Sequence, residues 1–271
     1  MTTAADTEVC PRYLADCEQA GLLDHHDGLP YVAGVFVDPS IGERQFFAEY
    51  CDSRLIAADP DLGWLVSRAR AEEPEAELIV VRTRPDAALP RPWSKHHTYV
   101  RHDGTLPTAS SKKVDVRIVP ATAAHTDAVR GWLVQAFTEA AVQRRRVADP
   151  KVLRDMADAV LAQEGRTTYV AVLDGRPIGH LTVRPGIEDE VTGRRFVEMC
   201  DVLVEEESVR SAVISALVPF ALEFAVAHEL PLLGQVHHPD EGLLPGRGEA
   251  ILRGLLATGW VVDHAYWRRT P

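Results

Sequence analysis

The residues best placed for acid–base chemistry stand in one short run, Phe-Val-Glu-Met-Cys-Asp-Val-Leu-Val, at positions 196–204. A carboxylate inside an apolar, β-type run is costly to bury unless it is paired or used. Burial raises its pKa, and a raised carboxylate can take the proton an amine must lose before attacking an acyl carbonyl. Glu198 and Asp201 are therefore candidate bases, though each also fits a strand with one wet face. In a regular strand Glu198 and Cys200 face one side, and Met199 and Asp201 the other. His238, in His237-His238-Pro239-Asp240-Glu241, is a candidate general base or substrate contact, unless that stretch is an exposed loop. Tyr266 is a candidate proton donor or an ordinary strand aromatic. Arg144-Arg145-Arg146 either binds a carboxylate or phosphate or closes a helix with charge.

Eleven histidines raise the question of a metal. They include the pairs 25–26, 96–97 and 237–238. Neighbours on a strand point to opposite faces, so such a pair rarely supplies two ligands to one ion. A zinc site needs three or four convergent ligands, so no metal is expected. The four cysteines are scattered without Cys-x-x-Cys spacing and read as reduced thiols of a cytoplasmic protein. No serine nucleophile elbow, P-loop or dinucleotide fingerprint is present.

These residues must be held by strands and helices that the pattern marks out. Two β-type runs, 168–173 and 177–183, flank Asp174-Gly175, a strong hairpin signal. A third run, 196–204, follows. Then comes an apolar helix, 209–227, expected to be buried all round, with Ser208 as its N-cap. Further strands are expected at 114–119, 230–236 and 260–268, and helices at 123–141, 150–163 and 248–258. Gly165 and Gly259 stand as stops after two of the helices. The order β-α-α-β-β-β-α-β-α-β implies an α/β fold, a mixed sheet with helices on both faces.

Residues 105–113 read as a linker, so 114–271 is one domain and 1–104 a smaller α/β domain. In the smaller one, 10–22 and 41–56 read as helices, and 31–37, 78–83 and 98–101 as strands. The acidic run 72–77 reads as a solvated helix end and turn. No internal repeat can be aligned, and the region is either a reduced second copy of the larger domain or an unrelated cap. The formal net charge of −11 argues against a general grip on nucleic acid or an anionic membrane. No unbroken run of about 18 apolar residues exists, so no membrane helix is expected.

Residues 114–271 resemble the GNAT N-acetyltransferase superfamily. The resemblance rests on the hairpin at Asp174-Gly175, the strand and helix after it, and the ending Leu255-Leu256-Ala257-Thr258-Gly259-Trp260. It implies a GNAT-like mixed sheet, with acetyl-CoA or another acyl-CoA as co-substrate and a small-molecule amine as acceptor. It makes Glu198 the general base and the Val202, Leu203 and Val204 backbone the support for the pantetheine arm. The family's glycine-rich pyrophosphate loop is replaced here by Glu205-Glu206-Glu207-Ser208-Val209-Arg210-Ser211. Arg210 and Ser211 would make the contacts the glycines lack. The family's tyrosine acid corresponds to Leu255, which leaves Tyr266 as a substitute. The competing expectation is a non-acylating member that binds a small molecule or runs other chemistry in the same cleft. Homodimerisation is left open.

Overall fold

Asp174 and Gly175 take φ of 52° and 78°, the left-handed geometry that a two-residue hairpin turn needs. They join β7 (Thr167–Leu173) to β8 (Arg176–Asp189). In this computed structural model, which describes residues 9–39, 41–104, 115–144, 146–239 and 244–271, the same turn occurs earlier. Asp27 and Gly28, with φ of 50° and 75°, join β1 (Leu23–His26) to β2 (Leu29–Val37). Both turns continue as x-Pro, Leu29-Pro30 and Arg176-Pro177.

The elements after the two hairpins are also alike. After the first come β3 (Arg44–Cys51), α2 (Ser53–Ala58), α3 (Gly63–Glu72), β4 (Leu78–Thr83) and β5 (Ser94–His102). After the second come β9 (Arg194–Val204), α6 (Arg210–Ala227), β10 (Leu232–His237), α7 (Arg247–Leu256) and β11 (Val261–Arg269). Helix α1 (Pro11–Gln19) precedes the first set. β6 (Arg117–Pro120), α4 (Thr126–Gln143) and α5 (Pro150–Ala162) precede the second. The stretch 105–113 lies outside the described residues.

All eleven strands form one sheet in the order β1-β2-β3-β4-β11-β5-β10-β9-β8-β7-β6. Two neighbouring pairs are parallel, β3 with β4 and β9 with β10. At the centre each set gives its last strand to the other. β11 pairs with β4, β5 pairs with β10, and β5 and β11 pair with each other. The sheet is mixed and carries helices on both faces, as the element order predicts.

Side chains alternate between the faces. On β7, Val170 and Val172 pack with α4 and α5, while Ala171 packs in the cluster of α6. α1 lies with α4 and α5 on the first face. α2 and α3 cover Phe46, Ala48, Ile79 and Val81 on the second, beside α6.

Two elements differ from expectation. Residues 41–56 form β3 and then α2, not one helix. Aromatic residues fit either period over so short a run, and ladders on both edges of β3 settle it. α6 buries only one face, through Val213, Leu217, Ala221, Leu222 and Ala225, against β7 to β10. It begins at Arg210 with no side-chain cap, and Ser208 is not its N-cap. By length and composition α6 is apolar enough to span a membrane, which the search for an unbroken apolar run does not reveal.

Candidate active site

β9 carries the expected carboxylates, and its ladder is irregular where they stand. Thr182 of β8 pairs with Asp201, but the next residue, Val183, pairs with Met199. Cys200 is therefore an unpaired bulge residue, which re-aims its neighbours. Val197 and Met199 pack in the α6 cluster, whereas Glu198 and Asp201 both turn to the α4 face. The alternation expected for a regular strand fails here.

Glu198 is ion-paired to Arg184 on the facing strand, at 2.9 Å, and both side chains are partly exposed. The Cys200 thiol lies 3.7 Å from Glu198 Oε2. Burial, then the charges of Glu198 and Asp201, push that thiol up to about 12, so it is a neutral group. Asp201 lies deeper, with its Oδ1 3.1 Å from Nδ1 of His180, whose side chain is fully buried and stacked on Trp132. Burial raises Asp201 to about 6 and lowers His180 to about 3.

Glu198 also marks a fork. β10 pairs with β9 only through Leu232 and Leu233, opposite Val197 and Glu198. Past that point β10 runs along β5 and the β9 edge has no strand beside it among the described residues. Val202, Leu203 and Val204 stand on this open stretch, paired to β8 on their other edge. Gln235 on β10 is exposed, so the fork opens to solvent on the α4 face. Arg210 stands at the start of α6, held by Glu207 at 2.5 Å and by the Val204 carbonyl at 3.4 Å. Ser211 is exposed beside it.

The remaining candidates lie apart from Glu198. Tyr266 packs against Phe47, Tyr99 and His264 at the centre of the sheet, and burial holds its hydroxyl far above the ordinary range. His238 turns toward α7. Its Nε2 is 2.9 Å from Thr98 Oγ1, and it packs so closely on Gly248 that a Cβ there would collide with Nδ1. It lines a separate cavity of 770 Å³ with Trp93, Lys95 and Trp267. Arg144 bonds Glu43 at 2.6 Å, and Arg146 pairs with Glu77, so both tie α4 to the N-terminal region. Arg145, Asp240 and Glu241 lie outside the described residues.

Several polar groups escaped the sequence reading. Tyr99 stands on β5 between Tyr266 and Glu198. Burial, then the Glu198 charge, push its hydroxyl up to about 12. Arg82 and Asp189 form a buried two-bond pair at 2.7 and 2.6 Å across 107 residues of sequence. Burial works against the Asp189 carboxylate, but the Arg82 bonds hold it near 2. Asp263 and His264 bond at 2.8 Å beside them. Arg82, Asp263 and His264 border a cavity of 470 Å³ at a second fork, where β3 and β4 part beyond Ala48 and Val81. The signal available for this second fork was the repeated Asp-Gly-x-Pro.

No family model matches the chain, and no curated protein matches it. Solved structures do. One is an acetyltransferase from the GNAT family of Colwellia psychrerythraea, 13% identical, with a TM-score of 0.50 over 96% of this chain and 97% of that one. Another is a conserved protein of unknown function from Staphylococcus epidermidis, 12% identical, with a TM-score of 0.50 over 91% of this chain and 92% of that one. At such identities the likeness is one of fold, and it spans both regions of the sequence. The chain has a GNAT-like α/β fold.

Proposed function

We propose that the protein transfers an acyl group from an acyl-CoA to an amine of a small molecule. The observation that carries this reading is the fork at Glu198, where a bare strand edge begins beside a solvent-facing carboxylate. The thioester supplies an activated carbonyl. The free edge of β9 from Met199 to Val204 offers backbone groups to the amides of the pantetheine arm. Arg210 and Ser211 stand at its far end for the phosphates.

Glu198, oriented by its 2.9 Å contact with Arg184, takes a proton from the acceptor ammonium. The amine nitrogen then bonds to the acyl carbon as the carbon–sulfur bond breaks, and the sulfur leaves with the electron pair. Tyr99 is better placed than Tyr266 to return a proton to that sulfur, and its phenolate takes up the second proton that the nitrogen sheds as the amide forms.

Calorimetric titration with acetyl-CoA and a thiol-release screen over small amines test the reading. Glu198→Gln should bind the donor as the wild type does. It should turn over about 10²- to 10⁴-fold more slowly, the usual contribution of a general base. Absence of binding at millimolar acetyl-CoA sinks the proposal. A wild-type rate in Glu198→Gln removes Glu198 as the base.

A further inference from the structure

The His-His pairs at 96–97 and 237–238 lie on neighbouring strands. His97 faces His237 across the β5–β10 ladder, and the His238 amide donates to the His96 carbonyl at 3.0 Å. On the other edge of β5, Tyr266 pairs with His97 but Trp267 pairs with Lys95. His96 is thus a bulge residue, and the bulge brings its side chain round to that of His97. The expectation that adjacent histidines point apart is overturned at this position. The ring centroids of His96 and His97 lie 4.0 Å apart, those of His97 and His237 5.0 Å, and those of His96 and His237 6.0 Å. One nitrogen from each ring lies within 4.8 Å of the other two.

The chemistry of the cluster points to a ligand. His96 is 4% exposed, and its Nδ1 has no hydrogen-bond partner. A native fold seldom leaves a buried nitrogen unpaired. Arg144 approaches His96 Nε2 to 3.1 Å, but Glu43 at 2.6 Å and Asp38 at 3.7 Å balance its charge. Three imidazoles and no carboxylate are a donor set for zinc and its neighbours, not for calcium or magnesium.

We propose that His96, His97 and His237 form a binding site for a divalent transition-metal ion of the zinc class. Three ligands leave a fourth position open, and His97 and His237 are only half-buried. With Nδ1 of His96 on the ion, Nε2 carries the ring proton. Arg144 then withdraws from it onto Glu43 and Asp38. His238 takes no part, since its Nε2 is engaged with Thr98.

The test uses the full chain stripped of metal by a chelator. Co²⁺ should bind one per chain with the visible bands of a tetrahedral site. Zn²⁺ should displace it and raise the melting temperature. His97→Ala and His237→Gln should each weaken binding by about 100-fold or more, while His238→Ala and His25→Ala leave it unchanged. Melting curves without metal show whether each variant folds. Should the ligand variants unfold, ¹⁵N shifts of the imidazoles in the zinc-loaded wild type decide instead, because three rings and no others should move. No Co²⁺ spectrum, binding unchanged in His97→Ala or His237→Gln, or a different set of shifted rings overturns the proposal.

Discussion

At the scale of residues, Asp201 makes stability depend on pH. Its folded pKa, about 6, lies above its ordinary value of 3.8, chiefly through burial. The folded protein thus holds this proton more tightly than the unfolded one. The stability this adds is complete below about pH 4 and is lost as pH rises to 6. The loss amounts to about 2–3 kcal/mol. Asp201→Asn keeps the shape and cannot ionise. Denaturant melts should find it close to wild type at pH 4 and more stable by about that amount at pH 7. His180, lowered to about 3, adds the opposite trend, since its contribution is lost as pH falls toward 3. His180 touches Asp201 at 3.1 Å, so the two proteins are compared between pH 4 and pH 7, above the range in which His180 takes up its proton. Equal stability at pH 7 would mean that the Asp201 carboxylate is not raised. Glu198 and Asp201 were legible as carboxylates in an apolar run. Their common face was not, because a bulge is fixed by pairing with the next strand and leaves no mark on composition. The same holds for His96 and for Asp263, which is unpaired between the Val262 and His264 pairs. Arg82 and Asp189 meet across 107 residues, beyond the reach of any local pattern.

At the scale of elements, β8 and β9 press together tightly at the far end of the open β9 edge. A Cβ on Gly179 would fall 2.6 Å from the Leu203 carbonyl oxygen and 3.1 Å from Val204 Cα. Both are backbone atoms of β9 and cannot swing aside, so the strands would have to part. Gly179→Ala should destabilise the fold by about 1–3 kcal/mol, the usual cost of overpacking. Thermal melts measure this, and an unchanged melt would show that β9 yields there. The hairpin, the strands around it and most helices were readable because turn chemistry and local period carry that information. β3 was not, since its aromatic residues suit both periods and only its neighbours decide. β1 was passed over, and of α3 only the end at Glu72 was read, for a related reason. β1 is four residues long, and α3 has almost no amphipathic stripe to betray it.

At the scale of the whole molecule, the exchanged strands β5 and β11 join the two regions more firmly than any linker. β11 completes the ladder of β4, and β5 that of β10. A protease site placed within 105–113 should therefore cut the chain without separating it. The two pieces should elute together and melt in one transition. Either piece expressed alone lacks an interior strand, exposes an open edge and should aggregate. Two pieces that separate, or that fold singly, would show the exchange to be energetically minor.

The exchange also bears on how the protein is made. Thr83 at the end of β4 accepts a hydrogen bond from the Trp267 indole, 184 residues further along the chain. At about 5–20 residues per second, a ribosome needs roughly 10–40 s to travel that distance. Throughout that time β4 has no partner on its inner edge. The centre of the sheet closes only when the last strand emerges. Binding by a chaperone to nascent chains should peak before that strand appears, and it should fall once β11 can reach its place.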